Sequence, residues 1–186
     1  MSSDSAAINA DGMVFPQNLQ RNIGYLVEIP EKSSFNSSYP APTPLRGRQR
    51  LRYLQIPEDI KPELDKVLAD IFPDGYQHIS PVEKATVISR YLQENYTYSL
   101  YPKHPKGMDV HRDPVINFLS RTKQGHCELF ASAAALLMRR VGIPSRYVSG
   151  VICSRKSNYG DYYFATGDNL HAWLEIYLQN AHHPVW

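Results

Sequence analysis

The chain reads as an α+β domain, with helices first and an antiparallel sheet after them. Three observations predict it. Apolar residues between positions 61 and 141 recur at helical spacing. From residue 146 onward, short runs rich in Tyr, Val, Ile and Phe take over, separated by turn residues. The two patterns follow one another instead of alternating, which argues against the strand–helix–strand order of a parallel sheet.

Residues 1–50 differ from the rest. They are rich in Ser, Asn and Pro, with one convincing strand at 24–29. Tyr39-Pro40-Ala41-Pro42-Thr43-Pro44 is incompatible with a helix and reads as extended linker. This stretch is expected to be an arm, partly flexible at its start. Residues 51–186 are expected to form the core domain. Residues 61–72 carry Leu64, Val67, Leu68, Ile71 and Phe72 on one face, behind Pro62 near the start. Ser80-Pro81-Val82-Glu83 is a capping box with proline at the first helical position, opening a helix to about Asn95. Asp113-Pro114 begins a shorter helix through Leu119. Residues 127–140 are apolar or small on most sides, so this helix is expected to be buried, ending at Gly142 and Pro144. Strands are expected at 146–152, 162–166 and 172–178.

Composition narrows the function. The 186 residues suffice for one domain with an appendage, and 42% apolar with 20% charged residues is globular. A net charge of +2 gives no basic field for nucleic acid or anionic membrane. The longest apolar run, 130–138, is too short to span a bilayer, and residues 1–12 lack the pattern of a signal peptide. These features leave the compartment open between the cytoplasm and an exported position as part of a larger protein, and a membrane-anchored parent would look the same. Cys127 and Cys153 are the two cysteines. They are too few for a disulfide framework, although one bridge between them would be possible. With no C-x-x-C pair, neither a zinc module nor any metal or cofactor site is expected.

Cys127 sits at the start of the buried helix, where the dipole favours the thiolate that acts as nucleophile. Gly125, two residues earlier, suits a sharp turn that aims the sulfur at a cleft. A buried structural cysteine is the plain alternative. His171 opens the strand His171-Ala172-Trp173-Leu174-Glu175, with His171, Trp173, Glu175 and Tyr177 on one face by alternation. An imidazole at a strand mouth suits a proton acceptor for a thiol.

These segments resemble a known family. Gly125-His126-Cys127-Glu128-Leu129-Phe130-Ala131, Gly142-Ile143-Pro144-Ser145-Arg146-Tyr147-Val148-Ser149-Gly150 and His171-Ala172-Trp173-Leu174-Glu175 are similar to the transglutaminase-like superfamily, above all its bacterial cysteine-protease branch. The resemblance is strong over 85–186, including Asn95-Tyr96-Thr97-Tyr98, and looser from Leu51. It implies a papain-like α+β core and a Cys-His-Asp triad, with Cys127 as nucleophile and His171 as general base. It implies thioester chemistry on a peptide or protein amide, by hydrolysis or transfer to an amine. A non-catalytic binding domain that keeps the fold is the alternative.

The family's aspartate follows the histidine strand, and no aspartate follows His171 here. The third triad member is therefore expected beyond Trp186, the core being cut short at its C-terminal side, with Asp168 as fallback. Glu175 shares the face of His171 but stands roughly 13 Å along the strand. For the oxyanion, the Cys127 backbone N–H is one donor, and Tyr96, Tyr98 or Gln124 are candidates for a second.

Overall fold

The computed structural model describes residues 6–8, 14–16, 44–103, 111–153, 155–160, 163–179 and 184–185. The chain divides into two compact units, Met1–Pro40 and Ala41–Trp186. In the first, β1 (Ala6–Ile8) pairs antiparallel with β2 (Val14–Pro16), Ala7 opposite Phe15. The strand expected at 24–29 and most of the proline linker lie outside the described residues.

The second unit opens with α1 (Gly47–Arg52), a basic helix with no buried residue. It was not expected, because it has no apolar period to betray it. A single 3-10 turn, Glu58–Ile60, leads into α2 (Lys61–Ile71), which buries Leu64, Val67, Leu68 and Ile71 as its spacing requires. In α3 (Pro81–Asn95) the Ser80 hydroxyl accepts the Glu83 N–H at 3.2 Å, satisfying one of the free donors of the first turn. After α3 comes the short strand β3 (Thr97–Tyr98).

The helix expected at 114–119 is split. The Asp113 carboxylate accepts the N–H groups of Val115 and Ile116 at 2.8 and 3.1 Å to start α4 (Pro114–Asn117). The chain then widens into a π-helical turn, Phe118–Thr122, closed by the Lys123 N–H on the Phe118 carbonyl at 3.1 Å. The wider turn keeps Phe118 and Leu119 in the core, and Lys123 leaves it in a left-handed conformation, φ 48°.

Strand β4 (Gln124–Gly125) runs directly into α5 (Cys127–Arg140). This helix is buried on most sides, as expected. Its Leu137 and Met138 share one cluster with Leu64, Leu68, Ile88 and Leu92 from α2 and α3. Gly142, at φ +84°, turns the chain out of α5. The chain returns along β5 (Ser145–Val151). A small hairpin, β6 (Arg155–Lys156) with β7 (Tyr163–Phe164), follows. Then β8 (Leu170–Ile176) pairs antiparallel with β5 over its full length, from Ser145 opposite Ile176 to Val151 opposite Leu170. Finally β9 (Leu178–Gln179) pairs with β10 (Pro184–Val185).

The architecture is therefore a mixed helix-and-strand fold. Among the described residues the strands form two-stranded ribbons, where the sequence led us to expect one sheet, and the expected strand at 162–166 shrinks to two residues. Leu174 and Ile176 of β8 pack on the helical core. No helix among the described residues is long and apolar enough to cross a membrane.

Candidate active site

Cys127 is the first residue of α5 and half-buried. Its approach is fixed by backbone pairing. Strands β3 and β4 run parallel, Thr97 beside Gln124 and Tyr98 beside Gly125. The Thr97 N–H donates to the Lys123 carbonyl and the Ser99 N–H to the Gly125 carbonyl, each at 2.8 Å. Gly125 is needed for space, and its dihedral freedom is not the reason. A Cβ there would lie 2.7 Å from Leu129 Cδ1 and 3.1 Å from Phe118 Cδ2. His126 is extended, and its carbonyl accepts the N–H groups of Leu129 and Phe130 at 3.0 and 3.2 Å. The N–H groups of Cys127 and Glu128 precede these, where a helix has no carbonyl of its own to offer.

His171 is the second residue of β8, opposite Gly150, and half-buried. Element lengths give its expected height along α5. Helix α5, with 14 residues, rises about 21 Å. After a short connection β5 returns beside it, and seven residues of strand cover about 23 Å. The far end of β5 thus comes level with the start of α5, and β8 begins there. Both strands pack against α5.

The pleat adds a condition. Ala172, Leu174 and Ile176 take the α5 side of β8, so His171, Trp173 and Glu175 take the other. His171 thus stands on the face of β8 opposite the one that packs on α5. The side chains of Cys127 and His171 share no hydrogen bond in this structure. Such bonds often tighten only when substrate binds.

The other candidates fall in different surroundings. Tyr96 is 7% exposed, and its hydroxyl donates to the Leu119 carbonyl at 2.8 Å. Burial, with Tyr91 and Asp70 adding to it, pushes this phenol well above its ordinary range. Its proton is committed to the core. Tyr98 is exposed and stands beside Gly125, its ring 6.2 Å from Phe130. Gln124 is half-buried in β4. Asp168 is exposed in the 3-10 turn Gly167–Asn169 that leads into β8. Glu175 is engaged elsewhere, bonded to Arg146 Nε and to Trp173 Nε1. Cys153 is exposed, and both cysteines are free thiols.

Sequence reasoning missed Tyr147. It lies on β5 opposite Leu174, and burial first, then the charges of Glu128 and Cys127, raise its hydroxyl above the usual range. Both of those residues lie in the first turn of α5. The available signal was the β5 alternation, which gives Tyr147 the same face as buried Ser145. Among the described residues, no group of three or more His, Cys, Asp or Glu is arranged to hold a metal ion.

Comparison with known proteins decides the family. The model of the transglutaminase-like superfamily matches residues 75–186. The chain belongs to the transglutaminase-like superfamily. Relatives include the uncharacterized protein YebA of Bacillus subtilis strain 168, 32% identical over 136 residues, 68% of this chain and 17% of that protein. They also include a protein-glutamine gamma-glutamyltransferase of Pseudomonas aeruginosa, 30% identical over 130 residues, 70% of this chain and 18% of that protein. This transglutaminase-like chain thus spans less than a fifth of either curated relative. A similar solved structure is the periplasmic domain of TgpA from Pseudomonas aeruginosa bound to ethylmercury. It has a TM-score of 0.58 and 28% identity, over 74% of this chain and 47% of that one.

Proposed function

We propose that this domain catalyses acyl transfer from a peptide or protein amide, with Cys127 as nucleophile and His171 as general base and acid. What supports the reading is that Cys127 opens α5, that His171 stands near the start of β8, and that β8 packs against α5. Membership of a superfamily with acyltransferases among its members supports it.

In this reading His171 takes the Cys127 thiol proton, and the thiolate attacks the amide carbon. Electrons move onto the carbonyl oxygen, stabilised by the Cys127 backbone N–H and a second donor, Tyr98 or Gln124. Tyr96 is the weakest candidate, since its proton is already bonded. The C–N bond then breaks, the His171 imidazolium protonates the leaving amine, and a thioester remains. Water attacking the thioester gives hydrolysis, and a primary amine gives transamidation. Either way His171 takes the attacking proton and the thiolate leaves. The carboxylate that orients His171 is assigned to a segment outside residues 1–186, with Asp168 as the alternative within them. The domain works as part of a larger exported protein, an assignment supported by the periplasmic neighbour.

The test is thiol labelling against pH. Iodoacetamide should modify Cys127 well below the free-thiol pKa of about 8.5, and Cys153 only near it. Ethylmercury should protect Cys127 from iodoacetamide. Equal labelling of both thiols at mildly acidic pH would leave a peptide-binding domain as the reading, with exposed Tyr98 and Tyr147 in its contact surface.

A further inference from the structure

The outer face of the β5–β8 ribbon carries an ordered chain of contacts that ends beside His171. Arg146, Val148 and Gly150 stand opposite Glu175, Trp173 and His171 in turn. Arg146 Nε donates to Glu175 Oε2, and Trp173 Nε1 donates to Glu175 Oε1 at 3.3 Å. The indole, so anchored at its nitrogen, extends diagonally across the ribbon. A Cβ on Gly150 would lie 2.9 Å from Trp173 Cη2 and 3.3 Å from Cζ3. The six-membered ring of Trp173 thus occupies the cross-strand space directly opposite His171, which only a glycine leaves open.

This has a consequence for the imidazole. A side chain at position 171 has a few staggered directions open to it. The one leaning across onto β5 is filled by the indole. The directions left include the one toward the open end of the ribbon. We infer that Trp173 is a positioning residue: laid across Gly150 and tethered through Glu175 to Arg146, it denies His171 the rotamer over β5 and turns the imidazole toward Cys127. The inference rests on the proposed Cys127–His171 reaction. It goes beyond it by assigning the aim of the base to a neighbouring side chain.

The experiment follows iodoacetamide alkylation of Cys127 against pH in a Cys153→Ala background, where one thiol reports. Gly150→Ala pushes the indole aside, and Trp173→Phe removes the ring that reaches Gly150. Each should raise the apparent thiol pKa by about one unit, a roughly ten-fold loss of labelling at mildly acidic pH. The double variant should lie nearer the parent than either single variant, because the smaller ring leaves room for the new methyl. Melting temperatures, read alongside, report any loss of fold, and the recovery in the double variant is something general destabilisation would not give. Single variants with the parent profile, or singles whose losses simply add, would overturn the positioning role. His171→Ala keeps the two claims apart. If it leaves the parent profile unchanged, the Cys127–His171 reading itself fails. If it moves the profile while the Gly150 and Trp173 variants do not, the positioning role alone falls.

Discussion

The loop that delivers Cys127 and the ribbon that carries His171 are held in opposite ways. Gly125 is walled in by Leu129 and Phe118, both strands flanking it are pinned through backbone bonds, and α5 behind it buries Ala133 and Leu137 completely. The ribbon buries little beyond Ala172 and Ser145, and its outer face is ordered by one polar clasp, Arg146–Glu175–Trp173. Close packing admits one arrangement and resists change. A part-exposed clasp contributes little stability but sets direction. Cys127, the proposed nucleophile, is thus placed by the core of the protein and His171, the proposed base, by its surface, so stability and chemistry should respond to different substitutions.

Four substitutions sharpen or break that contrast, from the largest effect down. Cys127→Ala should reduce thiol-dependent amide turnover to background while circular dichroism and melting stay as in the parent, since a half-buried thiol adds little packing. Residual turnover at the parent rate would remove Cys127 from the chemistry. Leu137→Ala, at a fully buried position, should cost about 2–5 kcal/mol in denaturant unfolding. A loss below 1 kcal/mol would mean α5 is not the rigid support described. Tyr96→Phe should cost about 1–2 kcal/mol, because the Leu119 carbonyl loses its partner.

Tyr96 also carries a pH signature. Its pKa in the folded protein lies above the unfolded value, so its contribution is complete at neutral pH and declines as pH rises past about 10, where the unfolded chain ionises first. The phenylalanine variant should lack that part of the alkaline decline, and parallel stability–pH curves for the two proteins would refute the buried phenol. Smallest in stability, Glu175→Gln should change unfolding by less than about 1 kcal/mol. It keeps an acceptor for Trp173 and loses the ion pair with Arg146. A change as large as that of Leu137→Ala would mean the ribbon is held as firmly as the core.

The parts readable from sequence are those set by local signals. Ser80-Pro81 and Gly142 mark helix ends with side chains and conformations that act within one turn, and the apolar period of α2 and α5 declares which face is buried. Neither α1 nor the parallel pairing of β3 with β4 has such a mark. The first makes no core contact, and the second depends on residues 27 positions apart. The same division holds in the site. A cysteine opening a helix and a histidine opening a strand are visible as local features. That Trp173 fills the space opposite His171 is not, because alternation gives a residue's face and not its partner across the ribbon. Tyr96 and Tyr98 show the limit plainly: two residues apart, one is sealed in the core and the other is 55% exposed.

The guanidinium of Arg139 has a consequence for the order in which the molecule assembles. It donates to the Ser145 carbonyl at 3.0 Å and to the Gln55 carbonyl at 3.1 Å, the latter 84 residues away in sequence. Closing so long a loop costs chain entropy before any bond repays it. The latch is expected to shut after α2, α3 and α5 have met, on the far side of the folding barrier. Arg139→Lys, which cannot span the two carbonyls with a planar fork, should quicken unfolding several-fold and leave the folding rate nearly unchanged. A folding limb slowed as much as the unfolding limb is quickened would show that the latch already acts at the barrier.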